Sequence, residues 1–490
     1  MSDAVPPPVH LHEVVDGLAQ NPGLPPELVR RLLGHRKGFG QVAKRPDLSA
    51  EVIAEIIAAD DHWLTHSLAL NRSLPHGFRM VLAEHPDPAI RTALVVGAGD
   101  APRELYERLL GDPDPQVRGR VAESDHVPDD LRARLATDSD PEVRRTLAQW
   151  WTTAPEPVRR QLLTDPVDSV RAGACATYFR RVPHPVPPAD LVPALLADPV
   201  TRAGAVRHCT LDTDSACRLA DDPDDEVRKE LARHPDLSPA LRDKLAEDPD
   251  LCVALRVFAR EDTPESTRAA IHARLTSDVP TPDWLADVQA LEDETFEREF
   301  MRETAQAEFG TLCLPWVTAD PLPHVESPYV CFRVSAAMSD RLPPAIVAQL
   351  LEDENGGVRT TTALHARDRI DADTAERIDR AHRPTKGSRW RPADTLPLPT
   401  DVLRRLATDP DPRMRQLAPR DPELPMELAC RLAADPDATV RRTIAAHPVL
   451  PADVLTRLLA DPSEYVAAAA AANPNLPTSA MHRLLTLAGV

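Results

Sequence analysis

Apolar residues recur along this chain in pairs four positions apart, and proline-bearing polar steps separate one pair from the next. The segment 221–250, DDPDDEVRKELARHPDLSPALRDKLAEDPD, shows the whole unit: Asp-Pro-Asp, Val-Arg, Leu-Ala, His-Pro, Leu-Ser-Pro and Leu-x-x-x-Leu-Ala. Residues four apart share one face of a helix, so Val227 with Leu231 predicts a first short helix and Leu241 with Leu245 a second. Val143/Leu147 and Val440/Ile444 copy the first pair; Leu105/Leu109, Leu131/Leu135 and Leu428/Leu432 copy the second. Pro is tolerated in the first helical turn, where a preceding Asp or Ser caps the free amides. The next Pro prevents the helix from continuing.

The unit has a period. Met414, Val440 and Val466 fall 26 residues apart, as do Val117 and Val143, Val227 and Val253, and Phe332 and Val358. Helices of about eight or nine residues are not stable alone in water. Each repeat must therefore bury its Leu and Val against the next, which predicts an all-α solenoid of stacked two-helix repeats, each about 24–28 residues long.

An Asp and an Arg six apart travel with the unit: Asp112/Arg118, Asp138/Arg144, Asp165/Arg171, Asp222/Arg228, Asp353/Arg359, Asp409/Arg415 and Asp435/Arg441. Stacking lines these up in files, where each Arg reaches carboxylates of its own and the adjacent repeat. Because the Asp accompanies the Arg each time, the files read as a structural ladder rather than an anion-binding stripe. A rung left exposed is worth only about 0.2–1 kcal/mol, so Leu245→Ala is expected to cost far more than Arg228→Ala.

The motif D-P-D-x-x-V-R-x-x-L-A-x-H-P-x-L-(S/P)-x-x-L-x-x-x-L-A resembles the leucine-rich repeat variant family, and the Asp/Arg spacing is similar to that of HEAT repeats. The resemblance spans about residues 12–278 and 325–490. It implies a right-handed superhelix of stacked helices and a generic interaction surface. One type of member carries a Cys-rich iron–sulfur segment before its repeats; here no Cys precedes Cys175, so no cofactor is expected.

Composition narrows the function classes. Pro is abundant at 52 of 490 residues and aromatics are scarce at 4%, so Leu, Val, Ile and Ala must build the core. The formal charge of −20 repels nucleic acid and anionic membranes overall. Lys accounts for only five of the 57 basic residues; with the Ala and Pro richness, this Arg bias suggests a GC-rich bacterial genome. No run of 18 apolar residues or signal-peptide stretch appears. The seven Cys (175, 209, 217, 252, 313, 331 and 430) never form C-x-x-C. They fit buried small hydrophobes in a reducing cytoplasm.

Three places depart from the pattern, and irregular places on a rigid scaffold often carry binding. The segment 28–46 replaces an Asp-Pro-Asp step with Arg30, Arg31, His35, Arg36, Lys37, Lys44 and Arg45, interspersed with Gly34, Gly38 and Gly40. It reads as an anion-holding turn or as a degenerate capping repeat. The segment 279–324 interrupts the repeats between arrays at 1–278 and 325–490. Within it, 281–309 reads as a longer acidic helix bearing Trp284, Val288, Leu291, Phe296, Phe300 and Phe309, which either packs on its own solenoid or mimics a partner. The loop 380–399 carries Arg383, Lys386, Arg389, Trp390 and Arg391, a chemistry suited to protein interfaces and to a stacked base, or else a loop whose Trp covers an edge.

Catalytic signatures are missing: no nucleotide loop, nucleophile elbow or H-E-x-x-H helix occurs. His62 and His66, four apart beside Asp60 and Asp61, lack a recognisable third metal ligand and read as a surface pair. The expectation is a non-catalytic, cytoplasmic, monomeric scaffold that binds a protein or peptide without a metal or membrane. The alternatives are a nucleic-acid-binding or HEAT-like DNA-processing protein acting through 28–46 and 380–391, and an accessory subunit of a modifying enzyme.

Overall fold

The computed structural model of the chain describes residues 8–35, 40–179, 182–276, 303–383 and 390–490. Short helices follow one another in the predicted pairs. First helices span Pro115–Glu123, Asp225–Ala232 and Ala438–Ala445, and second helices span Arg103–Leu110, Pro239–Ala246 and Met426–Ala433. Among the described residues the extended structure is one two-residue antiparallel pair, Tyr178–Phe179 with Val182–Pro183.

The Asp-Pro-Asp step divides its labour. The second Asp caps the first helix: Asp114 accepts the Gln116 amide at 2.7 Å, Asp224 the Glu226 amide at 2.9 Å and Asp437 the Thr439 amide at 2.8 Å. The Val of Val-Arg is buried at Val117, Val227, Val253, Val440 and Val466, and Leu231, Leu245 and Ile444 join it inside. The fold is thus all-α, made of stacked two-helix repeats.

Two compact units form: residues 1–143 with 397–490, and residues 144–396. The described part of the repeat interruption, residues 303–324, lies inside the second unit, away from either division point.

In the first unit the array continues across the chain ends, helix Leu11–Ala19 packing on helix Glu464–Ala471. The seam copies an interior interface. Asn473 donates to the carbonyls of Ala445 and His447 at 2.8 and 2.9 Å within the array, and Asn21 donates to those of Ala471 and Asn473 at 2.8 and 2.6 Å across the seam. Arg45 then donates to the Ala19 and Asn21 carbonyls, and Asn71 to those of Ala43 and Arg45. A Cβ on Gly17 would lie 2.2 Å from the Ala468 carbonyl oxygen, just as one on Gly97 would lie 2.2 Å from that of Ala69. Both glycines let consecutive first helices touch backbone to backbone.

In the second unit the described end of the interruption packs back on the repeats. Phe309 lies 5.3 Å from the Phe258 ring, Trp316 Nε1 donates to the Ala259 carbonyl at 2.9 Å, and the Tyr329 hydroxyl donates to Glu265 at 2.7 Å. Arg268 sits 5.3 Å over both the Trp316 and Phe332 rings. Trp284, Val288, Leu291, Phe296 and Phe300 lie outside the described residues.

Candidate functional site

The Asp/Arg files are built differently from the simplest expectation. Six of the seven Arg clasp the carboxylate of the next repeat, among them Arg118 to Asp138 at 2.7 and 2.8 Å, Arg144 to Asp165 at 2.7 and 3.0 Å, Arg228 to Asp248 at 2.8 and 3.2 Å, and Arg441 to Asp461 at 2.7 and 2.9 Å. Among the described residues Arg359 donates only to the Asp353 and Glu354 carbonyls. To its own Asp the ladder Arg donates at the backbone, Arg118 to the Asp112 carbonyl, Arg228 to that of Asp222 and Arg441 to that of Asp435, each at 2.8 Å. The carboxylate also receives the amide two residues on, Asp112 from Asp114 and Asp222 from Asp224. The rungs are largely buried: side-chain exposure is 14% for Arg228 and 6% for Asp248. Burial alone would raise the Asp165 and Asp435 carboxyls, but hydrogen bonds from Arg144 and Arg415 and from backbone amides outweigh it and hold both below the usual range.

The basic segments are partly committed elsewhere. Arg31 donates to the Val490 carbonyl at 3.1 Å and to the Thr486 hydroxyl at 3.3 Å, so it clamps the seam. Arg30 pairs with Glu55 at 3.0 Å, and His35 stacks on His12 at 5.7 Å. Arg391 clasps the fully buried Asp379, with Nε 3.0 Å away, and Arg383 donates to the carbonyls of Arg380 and His382. Trp390 lies edge-on to His382 at 5.4 Å and keeps 37% exposure. Arg36, Lys37, Lys386 and Arg389 lie outside the described residues.

Other features went unread in the sequence. On helix Asp225–Ala232, Lys229 reaches Glu226 at 3.0 Å and Asp250 at 3.5 Å, and Glu230 is wholly buried beside Arg207 and Arg233. Burial lifts the Glu230 carboxyl above its ordinary value. These charges neutralise one another and offer little to a ligand. A second feature is on the first unit's surface. Trp63 is 63% exposed and Tyr465 61%, each two residues past the capping position of a first helix, where other repeats place the exposed polar residues Gln116, Glu142, Glu226 and Thr439. The Arg442 guanidinium lies 5.5 Å over the Tyr465 ring. His62 and His66 flank Trp63, with His62 3.0 Å from Asp87.

Stacked helix pairs tied by an Asp/Arg ladder define an all-helical repeat protein. No family model matches the chain, and no curated protein does. Among solved structures it is similar to Kap121p bound to Ste12p, at 14% identity over 90% of this chain and 50% of that one, with a TM-score of 0.26. It is similar to Kap121p bound to Pho4p at 12% identity over the same shares, with a TM-score of 0.22. The chain spans about half the length of those chains. So distant a likeness carries no weight for function. Among the described residues no helix is long and apolar enough to cross a membrane, and no group of three or more His, Cys, Asp or Glu is placed to hold a metal ion.

Proposed function

We propose that this chain is a non-catalytic, cytoplasmic scaffold of leucine-rich-repeat-variant type that binds a protein or peptide on the first-helix face of its repeats. The carrying observation is the exposed pair Trp63 and Tyr465, the latter under Arg442. The fold asks for nothing aromatic there, since the equivalent positions carry Gln116, Glu142, Glu226 and Thr439. Aromatic and Arg side chains supply large contact area at small entropic cost, and they dominate binding energy at protein interfaces. Trp390 is a second candidate anchor, and the basic residues of 28–46 and 380–391 are further candidates named from the sequence.

The test is affinity capture from native lysate with wild type and a Trp63→Ala/Tyr465→Ala double variant. The reading requires one protein recovered by wild type and depleted at least about tenfold by the variant. Recovery of nuclease-sensitive nucleic acid, with an affinity falling steeply with salt, would overturn it. Recovery unchanged by the double variant would overturn the assignment of the face.

A further inference from the structure

Five residues after the residue that opens the second-helix segment, five repeats carry an Arg: Arg79 after Leu74, Arg132 after Val127, Arg159 after Ala154, Arg242 after Leu237 and Arg268 after Thr263. All but the half-buried Arg159 are buried, and all five donate to backbone carbonyls. That is a structural use, and at three of them the charge is also met by a carboxylate. Arg132 lies 3.1 Å from Asp125, Arg242 3.2 Å from Asp243 and Arg268 4.0 Å from Glu265.

Among the described residues neither Arg159 nor Arg79 meets a carboxylate, but Arg159 keeps contact with solvent, whereas Arg79 is buried. Arg79 is 6% exposed and donates to the carbonyls of Leu74 at 2.8 Å, Arg72 at 2.7 Å and Ala98, yet among the described residues no carboxylate lies within ion-pair distance. A guanidinium has five N–H donors, so these three bonds leave about two uncommitted. Burial lowers its affinity for the proton, and the opposing influence comes from the Tyr106 hydroxyl. A buried cation without a counter-charge is costly.

The counter-charge's place is taken by a cavity of about 400 Å³, lined among others by Arg72, His76, Arg79, Asp100 and His126. Arg72 and His76 are exposed and make no side-chain ion pair or hydrogen bond among the described residues. Asp100 is the one acid in that lining; it stands fully in solvent, 3.6 Å from His126. Two arginines therefore face one cavity whose single acid stands in solvent beside His126 and pairs with neither, on a chain whose net charge is −20. Gly99, with φ +50°, brings the opposite wall round in a conformation other residues adopt only under strain, and its carbonyl is held by the Tyr106 hydroxyl.

We propose that this cavity binds a small ligand carrying a doubly charged oxyanion, a phosphate monoester or a dicarboxylate, with Arg79 at its base and Arg72 and His76 at its mouth. The volume suits a small metabolite, and guanidinium forks match both kinds of oxyanion. The site is independent of the aromatic face assigned to protein binding.

Isothermal titration of the full chain with inorganic phosphate and with succinate tests this, alongside an Arg72→Ala/His76→Ala variant. Both substitutions are at exposed positions, and matching thermal melts will show that the variant is folded. Saturable binding of either probe to wild type, weakened at least about tenfold in the variant, is the expected result, and the tighter probe names the oxyanion. No saturable binding of either probe, or binding equal in the folded variant, would overturn the proposal.

Discussion

Replacing Arg228 by Ala removes a bidentate grip on Asp248, at 2.8 and 3.2 Å, and donations to the Asp222 and Pro223 carbonyls at 2.8 and 3.3 Å. It leaves the Asp248 carboxylate, 6% exposed, with the Asp250 amide at 2.9 Å as its remaining hydrogen-bond donor. Breaking a buried pair costs about 3–5 kcal/mol and an exposed one about 0–1 kcal/mol. At 14% and 6% exposure this rung lies near the buried end, so about 2–4 kcal/mol is expected. Leu245→Ala, at a site 1% exposed, should cost about 2–5 kcal/mol. The two losses are comparable, which revises the expectation from sequence that the Leu dominates. Denaturant unfolding of Arg228→Ala, Asp248→Ala and the double variant isolates the pairwise term, expected to be at least about 1 kcal/mol. The exposed pair Lys244–Asp221, 2.6 Å apart with exposures of 46% and 69%, is the control, expected at less than about 0.5 kcal/mol. Equal coupling in the two cycles would refute the argument that burial gives the ladder its strength.

The ladder also predicts an acid limit. Asp165 and Asp435 are held below their ordinary values in the folded chain, so their contribution is complete above the unfolded value of about 3.9 and is lost as pH falls through the folded one. An Asp165→Asn/Asp435→Asn variant should be less stable at neutral pH and show a flatter decline below about pH 4, and an unchanged slope would count against the idea. Thiol chemistry should sort by burial: Cys175 and Cys331 are pushed up to about 12 and Cys252 to about 11 by burial, whereas Cys217 and Cys313 are exposed. Mass spectrometry after brief alkylation should find Cys217 and Cys313 modified first, and early labelling of Cys175 or Cys331 would contradict the packing.

Much of this fold was legible because one pattern repeats. The Val and Leu pairs, the capping Asp and the proline stops each have a local physical cause, and stacking multiplies the signal. The partner of each ladder Arg was harder to read: a six-residue spacing marks the pair, but only the stacking geometry shows that Arg228 takes its own Asp222 at the carbonyl and Asp248 at the carboxylate. The side-chain-to-carbonyl contacts that tie Asn21, Arg45 and Asn473 to the preceding repeat had a sequence signal that could have been used. Asn21-Pro22, Arg45-Pro46, His447-Pro448 and Asn473-Pro474 occupy the His-Pro place of the unit, and their side chains reach the preceding repeat. The pairing of Arg31 with Val490 could not have been foreseen, since nothing local in residues 28–46 marks a contact 459 positions away. The cavity at Arg79 was equally silent, because it depends on which carboxylate fails to arrive.

At the seam, helices Leu11–Ala19 and Glu464–Ala471 meet as two neighbouring repeats do. Native-state hydrogen exchange on Gly17→Ala is the decisive measurement, with Gly97→Ala and Gly119→Ala beside it. A Cβ at Gly17 collides with the Ala468 carbonyl at 2.2 Å, one at Gly97 with Ala69 at 2.2 Å, and one at Gly119 meets nothing within 4 Å. Overpacking of this kind costs about 1–3 kcal/mol. Gly17→Ala should deprotect helices Leu11–Ala19 and Glu464–Ala471 together, Gly97→Ala should spare both, and Gly119→Ala should lose no protection. Full protection of both terminal helices in Gly17→Ala would show that the chain ends are not joined as repeats are.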